Sequence, residues 1–448
     1  MNERKLKSTP NSLEVGFERV ISPFQEFIHN QATGSLLLIM STVVALITAN
    51  SPFAHDYEAL LSTRLGFVMG DLSLQMSLHH WINDGLMALF FFLLGLEIKR
   101  EILVGELKQP KYSILVIIAA IGGMIMPATI YLAFNHDTSS FPGWGIPMAT
   151  DTAFAVGILV LLKKYIPNNL ITFLTALAII DDLGAILVIA LFYTKSIHLM
   201  YLGFTGFFVV VLLVVNILGI RSPLIYFFGG VFIWLSMLGS GIHATIAGII
   251  IASVIPARPK RAPEWFVSRI RKLVSQFEHI EEKSNQPILG EKNQHLVVEQ
   301  VQETAEKAST PLRRWEHHLE HPTTLFILPI FALANAGIPI NTDSLLNMWT
   351  EPLSLGIIFG LLFGKSMGIT LFCWIAVSLK LGVLPKGITM RHIVGLGLVA
   401  GIGFTMAIFI DNLGFASNPE VIVAAKSAII IGSLLAGIAG GLWLRFTR

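Results

Sequence analysis

Residues Phe173–Thr194 read FLTALAIIDDLGAILVIALFYT, and two adjacent acids, Asp181 and Asp182, stand midway along them. Without the pair the stretch is a membrane-spanning helix: about twenty apolar residues, at a rise of about 1.5 Å each, cross a hydrocarbon core of roughly 30 Å. An ionised carboxylate at the centre of a bilayer costs at least about 2.5 kcal/mol, and two side by side repel each other. A helix cap is the bland account, but about ten apolar residues flank the pair on each side. The pair is therefore either compensated by something else in the fold or engaged in chemistry.

The rest of the chain repeats this background. Of its 448 residues 54% are hydrophobic and 13% charged, against roughly 25% charged in soluble domains. The chain therefore reads as an all-α polytopic membrane protein. A net charge of +2 leaves no nucleic-acid footprint. The single Cys373 excludes a disulfide framework or a cysteine metal site within one chain. The first thirty residues are polar and mixed in charge, without a cleavable signal.

Twelve candidate spans emerge: 34–50, 82–104, 114–134, 144–162, 170–194, 199–220, 223–238, a short 243–256, 322–339, 353–379, 392–415 and 421–446. Lys and Arg collect in alternate loops: Lys99, Arg100, Lys163, Lys164, Arg221, Lys386 and Arg391 on one side, only Arg64 and Lys195 on the other. The positive-inside rule then places both termini in the cytoplasm. The expected organisation is a cytoplasmic tail over 1–33, helices 1–8 over 34–256, a cytoplasmic polar loop over 257–321 and helices 9–12 over 322–448. Part of the loop, NQHLVVEQVQETAEKAS, reads as a surface helix and the remainder as polar enough to be partly disordered. In the external 52–80 connection, GFVMGDLSLQM fits a hairpin around Gly70-Asp71 or a plain solvent loop.

Two further spans carry polar groups at depth. In GWGIPMATDTAFAVG, Pro147 lacks an N–H and predicts a helix break near it, with Thr150 and Asp151 at that break; an ordinary proline kink is the alternative. In IIFGLLFGKSMGITLFCW, Lys365 lies roughly 18 Å of helix rise from either end, a long way for its stem to snorkel. A late run, VGLGLVAGIGFTMAIF, packs Gly395, Gly397, Gly401 and Gly403 into an apolar segment and permits an extended stretch. The fourth and eleventh spans thus both read as interrupted, each the middle helix of a three-span group.

Seven segments, in order, carry a family resemblance: WINDGLMALFFFLLGLEIKRE, IPMATDTAFA, ALAIIDDLGAI, SGIHATIAG, LPIFALANAG, GLLFGKSMGITLFCW and GIGFTMAIFI. They resemble the signature segments of the NhaA family of bacterial sodium/proton antiporters, from about Phe24 to Arg445. That family is itself one of the cases from which the inverted-repeat transporter pattern is drawn. The resemblance implies twelve helices with two inverted three-helix repeats, whose interrupted middle helices cross near mid-membrane. It implies a multi-pass protein of the bacterial inner membrane, a homodimer, that exports Na+ or Li+ against inward H+, electrogenically and under pH control. By motif, Asp181 and Asp182 are the cation and proton carboxylates, with Thr150, Asp151 and Lys365 in the crossing assembly. The implied pH-response residues are Glu97, Arg100, Glu101, Glu316 and His321, with His243 and Asp84 as further candidates; for His243 a plain helix start is as good a reading. Two departures stand out: the 257–315 loop is longer than in short family members, and the N-terminal tail is extended.

Chemically, Na+ takes hard oxygen ligands, which Asp181, Asp182, Thr150 and an unwound carbonyl supply; protons compete for the same lone pairs. No enzymatic role and no cofactor follow from this, since Na+ and H+ are cargo. Lys365 has two readings, facing the negative helix ends at the crossing or pairing with Asp182. A sodium-coupled solute symporter is the nearest alternative, and a channel is another. An intramembrane aspartyl protease fits poorly, because adjacent residues on one helix point about 100° apart.

Overall fold

The computed structural model describes residues 31–69, 72–105, 108–194, 197–283, 292–339, 348–416 and 418–447. The N-terminal tail through residue 30, the Gly70-Asp71 turn, Lys195 and Arg448 lie outside them.

Among the described residues, every long apolar run is helical. α1 (Gln31–Ala49) bends by 112° into the short α2 (Ala54–Ser62). Strands β1 (Arg64–Met69) and β2 (Leu72–Ser77) then pair antiparallel, Arg64 opposite Ser77 and Met69 opposite Leu72. Of the two readings for this connection, the hairpin is the one observed. A helical lead-in over residues 78–86 enters α3 (Met87–Val104), and α4 (Pro110–Asn135) follows.

The fourth span is broken. Phe141–Met148 is a 3-10 helix, residues 149–151 are extended, and α5 (Thr152–Leu161) resumes. Pro147 lies inside the 3-10 turn and the interruption follows it directly, with Thr150 and Asp151 at the break as the sequence leads one to expect. α6 (Asn168–Phe192) contains the aspartate pair and runs without a break.

α7 (Leu199–Ile217), α8 (Pro223–Ser240) and α9 (Ile246–Val254) come next. α9 begins after 243, because residues 241–245 form a turn with Gly241 at φ +82° ending α8 in the left-handed conformation. The polar loop is largely helical: α10 (Pro263–Lys283), α11 (Lys292–Ala308) and α12 (Pro311–Pro322). α11 matches the stretch read as a surface helix. α12 continues through a π turn, Thr323–Ile327, into α13 (Leu328–Asn335), so Pro322 closes a helix instead of opening one.

α14 (Pro352–Phe359), a π turn over Gly360–Gly364 and α15 (Lys365–Ser378) make one span. π turns leave the regular backbone register and recur at functional sites; this one delivers Lys365. The next span consists of α16 (Met390–Ala400) and α17 (Phe404–Gly414), bent by 50° across residues 401–403. The helix passes through Gly395 and Gly397 undisturbed. A side chain on Gly397 would press within 2.8 Å of the Ser366 backbone, so packing, not unwinding, explains that glycine. α18 (Pro419–Phe446) completes the chain.

Among the described residues, seven helical segments are long and apolar enough to cross a membrane, or up to nine if each bent pair counts as one span. This is an all-α membrane architecture with one small hairpin. The chain divides into two compact units. One comprises Met1–Thr63, Ile114–Asp182 and Thr324–Arg448, the other Arg64–Ser113 and Leu183–Thr323. In the first, α18 packs against α14, α16 and α17, and α1 against α5 and α13. α4 and α15 meet backbone to backbone: a side chain on Gly122 or on Gly368 would run into the carbonyl of the other. In the second, α9 packs along α3, α8 against α7, and α10 against α11. Lys99 of α3 donates to the carbonyls of Ser253 and Ile255, both at 2.6 Å, and so caps the end of α9.

Candidate functional site

Both interruptions and the aspartate pair belong to the first unit, and the structure brings them together. At the first interruption Asp151 is the N-cap of α5, accepting from the Phe154 N–H at 3.2 Å. Its other carboxylate oxygen accepts from the N–H of Thr405 at 3.0 Å and from the Thr405 hydroxyl at 2.5 Å. Thr405 is the second residue of α17, so one carboxylate sits between two helix N-termini, each equivalent to roughly half a positive charge. The Asp151 N–H in turn donates to the carbonyl of Ile402 at 2.6 Å, joining the two unwound segments directly.

Next to this junction lies Asp181, 1% exposed. Its Oδ2 accepts from the Lys365 ammonium and from the Thr150 hydroxyl, the latter at 2.7 Å. The same hydroxyl is 2.9 Å from the Ala400 carbonyl, the last residue of α16. Lys365 is 0% exposed, so the ion pair is fully enclosed in protein. Asp182 is equally buried and accepts from the Thr152 hydroxyl at 3.3 Å. Each aspartate keeps one oxygen, Oδ1, without a hydrogen-bond donor. Of the two partners read for Lys365, neither is its direct contact; the ammonium engages Asp181. The arrangement offers hard oxygens from two carboxylates, two hydroxyls and a helix-end carbonyl, beside one fixed cation.

Three contributors were not singled out in the sequence. Thr152 and Thr405 carry side-chain donors, and Ala400 contributes a backbone oxygen that residue identity does not encode. Thr405 did have a signal, standing two residues after the glycine-dense break in GIGFTM.

The residues read as pH-responsive lie in the second unit and form no single cluster. Arg100 binds Glu101 at 2.7 Å and Glu316 at 2.8 Å, and Arg313 reaches Glu316 at 3.2 Å. Glu97 lies in the field of Glu316 of α12 and of Arg100 on its own helix. His321 stacks edge-on with His317, their centroids 6.4 Å apart. His243 instead contacts the Tyr193 carbonyl at 3.1 Å, a bond that fixes its Nε2 as the protonated nitrogen. Asp84 is about 24 Å of helix rise from Arg100. It pairs with His80 at 2.7 Å, and that hydrogen bond raises the His80 pKa above the ordinary imidazole range.

Residues 25–444 match the family described as Na+/H+ antiporter 1. The chain belongs to that family. Relatives covered almost end to end agree. The protein "Na(+)/H(+) antiporter NhaA 1" of Shewanella denitrificans is 48% identical over 99% of this chain and 98% of its own length. Its namesake from Saccharophagus degradans is 46% identical over 99% and 97%, and the Helicobacter pylori "Na(+)/H(+) antiporter NhaA" 44% identical over 98% and 97%. Membership of this antiporter family agrees with the multi-pass helical architecture described above.

Proposed function

We propose that this chain exchanges cytoplasmic Na+, or Li+, for inward-moving H+ across a bacterial inner membrane, without need of an organic co-substrate. The observation that carries the reading is a vicinal pair of buried carboxylates, each with one unpartnered oxygen, beside a buried lysine at the junction of two broken helices. Na+ entering that site finds ligands in the free oxygens of Asp181 and Asp182, the Thr150 and Thr152 hydroxyls and the Ala400 carbonyl. A proton on either carboxylate removes the charge that holds the ion, so the two cargoes exclude one another. Loaded with Na+ the site faces one side, protonated it returns from the other, and exchange follows without further machinery.

Twelve spans form two inverted three-helix repeats, α4 to α6 and α14 to α18, whose interrupted members meet near mid-membrane. Both termini are cytoplasmic, and the protein works as a homodimer in the lipid bilayer. More than one proton moves per Na+, so transport is electrogenic and the membrane potential contributes to extrusion. The Arg100–Glu316 cluster adjusts activity to pH.

Everted vesicles test the core of the reading. Addition of Na+ or Li+, but not K+, dissipates an imposed proton gradient, and Asp182→Asn abolishes the response while the protein remains folded. Sodium-dependent proton movement at the wild-type rate in Asp182→Asn defeats the competition mechanism, and a requirement for an organic solute returns the symporter.

A further inference from the structure

A second buried acid–base pair lies away from the aspartates of α6. Asp411, near the end of α17, is 0% exposed, and neither of its carboxylate oxygens has a hydrogen-bond partner. Lys426 of α18 is 8% exposed, and its charge acts on Asp411. Their opposition follows from helix register. α17 and α18 are consecutive, packed helices joined by a short turn, and hence antiparallel. The N–H of Phe404 donates to the hydroxyl of Ser433 at 3.2 Å, fixing which residues face each other. Two helical turns further from the break on α17 is Asp411; two turns back along α18 from Ser433 is Lys426. Seven residues return each helix to almost the same face, so Asp411 and Lys426 stand at the same level of one interface, without a direct ion pair.

Other titratable groups are scarce there. Among the described residues, the 3-10 helix 141–148 and α13, both packed against α17, contribute none, and α18 adds only the exposed Glu420 and the distant Arg445. The neighbouring Asn412 is occupied with Asn335 at 2.7 Å. A carboxylate buried without donors is costly when ionised. Na+ is a poor occupant, because it requires several hard oxygens and the group facing Asp411 is an ammonium. A proton needs one oxygen lone pair only: the carboxylate takes up H+ to become the neutral acid, and no other bond breaks.

We propose that Asp411 is a second proton-binding carboxylate of this antiporter, set on the arm of the broken span that leads from the crossing to the external face, in the field of Lys426. The placement rests on the antiport reading and the orientation given above. About 12 Å of helix separates Asp411 from the break at Gly403, so a proton held there waits on the route to the Asp151–Asp181 junction without occupying it.

The test uses purified protein in two assays. In proteoliposomes, Na+-driven proton flux is measured as external pH is varied. In difference infrared spectra, a pH step reports buried carboxyl groups gaining or losing protons. With Asp411→Asn, half-maximal exchange moves by about one pH unit or more and one protonated-carboxyl band disappears. An unmoved profile with an unchanged spectrum overturns the proposal. If the single variant does not fold, Asp411→Asn combined with Lys426→Met removes both charges together. A double variant with the wild-type profile and band shows a purely structural pair and overturns the proposal; a displaced profile with the band missing upholds it. Wild-type protein that moves no protons on Na+ addition would refute the antiport reading instead, and the infrared band still decides whether Asp411 takes up a proton.

Discussion

Lys365 and Asp181 are in direct ionic contact, and both are sealed from solvent. The lysine and the Thr150 hydroxyl converge on a single carboxylate oxygen, leaving the other oxygen of Asp181 and one of Asp182 without donors. The cation of the protein thus takes one edge of a site whose opposite edge remains chemically unsatisfied. Na+ approaching that free edge competes with Lys365 for the same negative charge.

Removing the lysine should therefore have two effects. Lys365→Ala leaves a buried carboxylate without its counter-charge, a loss of about 3–5 kcal/mol when one member of a buried pair is deleted. Thermal unfolding in detergent should report a lower midpoint, and the sodium concentration for half-maximal exchange should rise. A variant unchanged in both would make the lysine incidental.

Thr405 gives Asp151 two of its donors. Thr405→Val keeps the shape and the backbone N–H but deletes the hydroxyl, a hydrogen bond to a charged group worth about 1.5–3 kcal/mol. Reduced thermal stability is expected for Val and near-complete recovery for Thr405→Ser. Equal melting of Val and wild type would show that the hydroxyl contributes nothing to the junction.

The contact between α4 and α15 leaves no room for a side chain at Gly368, since its Cβ would meet the Gly122 carbonyl. Overpacking of this kind typically costs about 1–3 kcal/mol, and a rigid backbone gives way less readily than a side chain. Gly368→Val should lower the yield of folded protein sharply in fluorescence-detected size exclusion. Gly441→Ala, with open space around the site, serves as the tolerated comparison. Comparable yields from both would mean that the helices can separate at little cost.

What the sequence disclosed follows from the strength of each physical signal. Long apolar runs and charges stranded inside them mark the spans, because burying an ionised group in hydrocarbon is expensive enough to be selected against without cause. Asp181, Asp182, Asp151 and Lys365 were legible for that reason. Helix breaks were legible only approximately. Pro147 marks the neighbourhood of the first but sits inside the 3-10 turn before it, and of the four glycines near the second, Gly395 and Gly397 serve packing. Partners across the fold were not legible. That Lys365 meets Asp181 and not Asp182 depends on helix rotation to within a fraction of a turn, and the Ala400 oxygen is backbone. Asp411 and Lys426 give no such signal, because each lies close enough to a span end to pass for an ordinary interfacial charge.

The junction at Asp151 also restricts how such a carrier can move. Three bonds, from its own N–H to Ile402 and from Thr405 twice to its carboxylate, rivet the start of α5 to the start of α17. Prising these apart in each transport cycle would strip main-chain polar groups far from water, at several kcal/mol apiece. The cheaper stroke carries the riveted helices as one lever, with the pivot at softer contacts elsewhere in the protein.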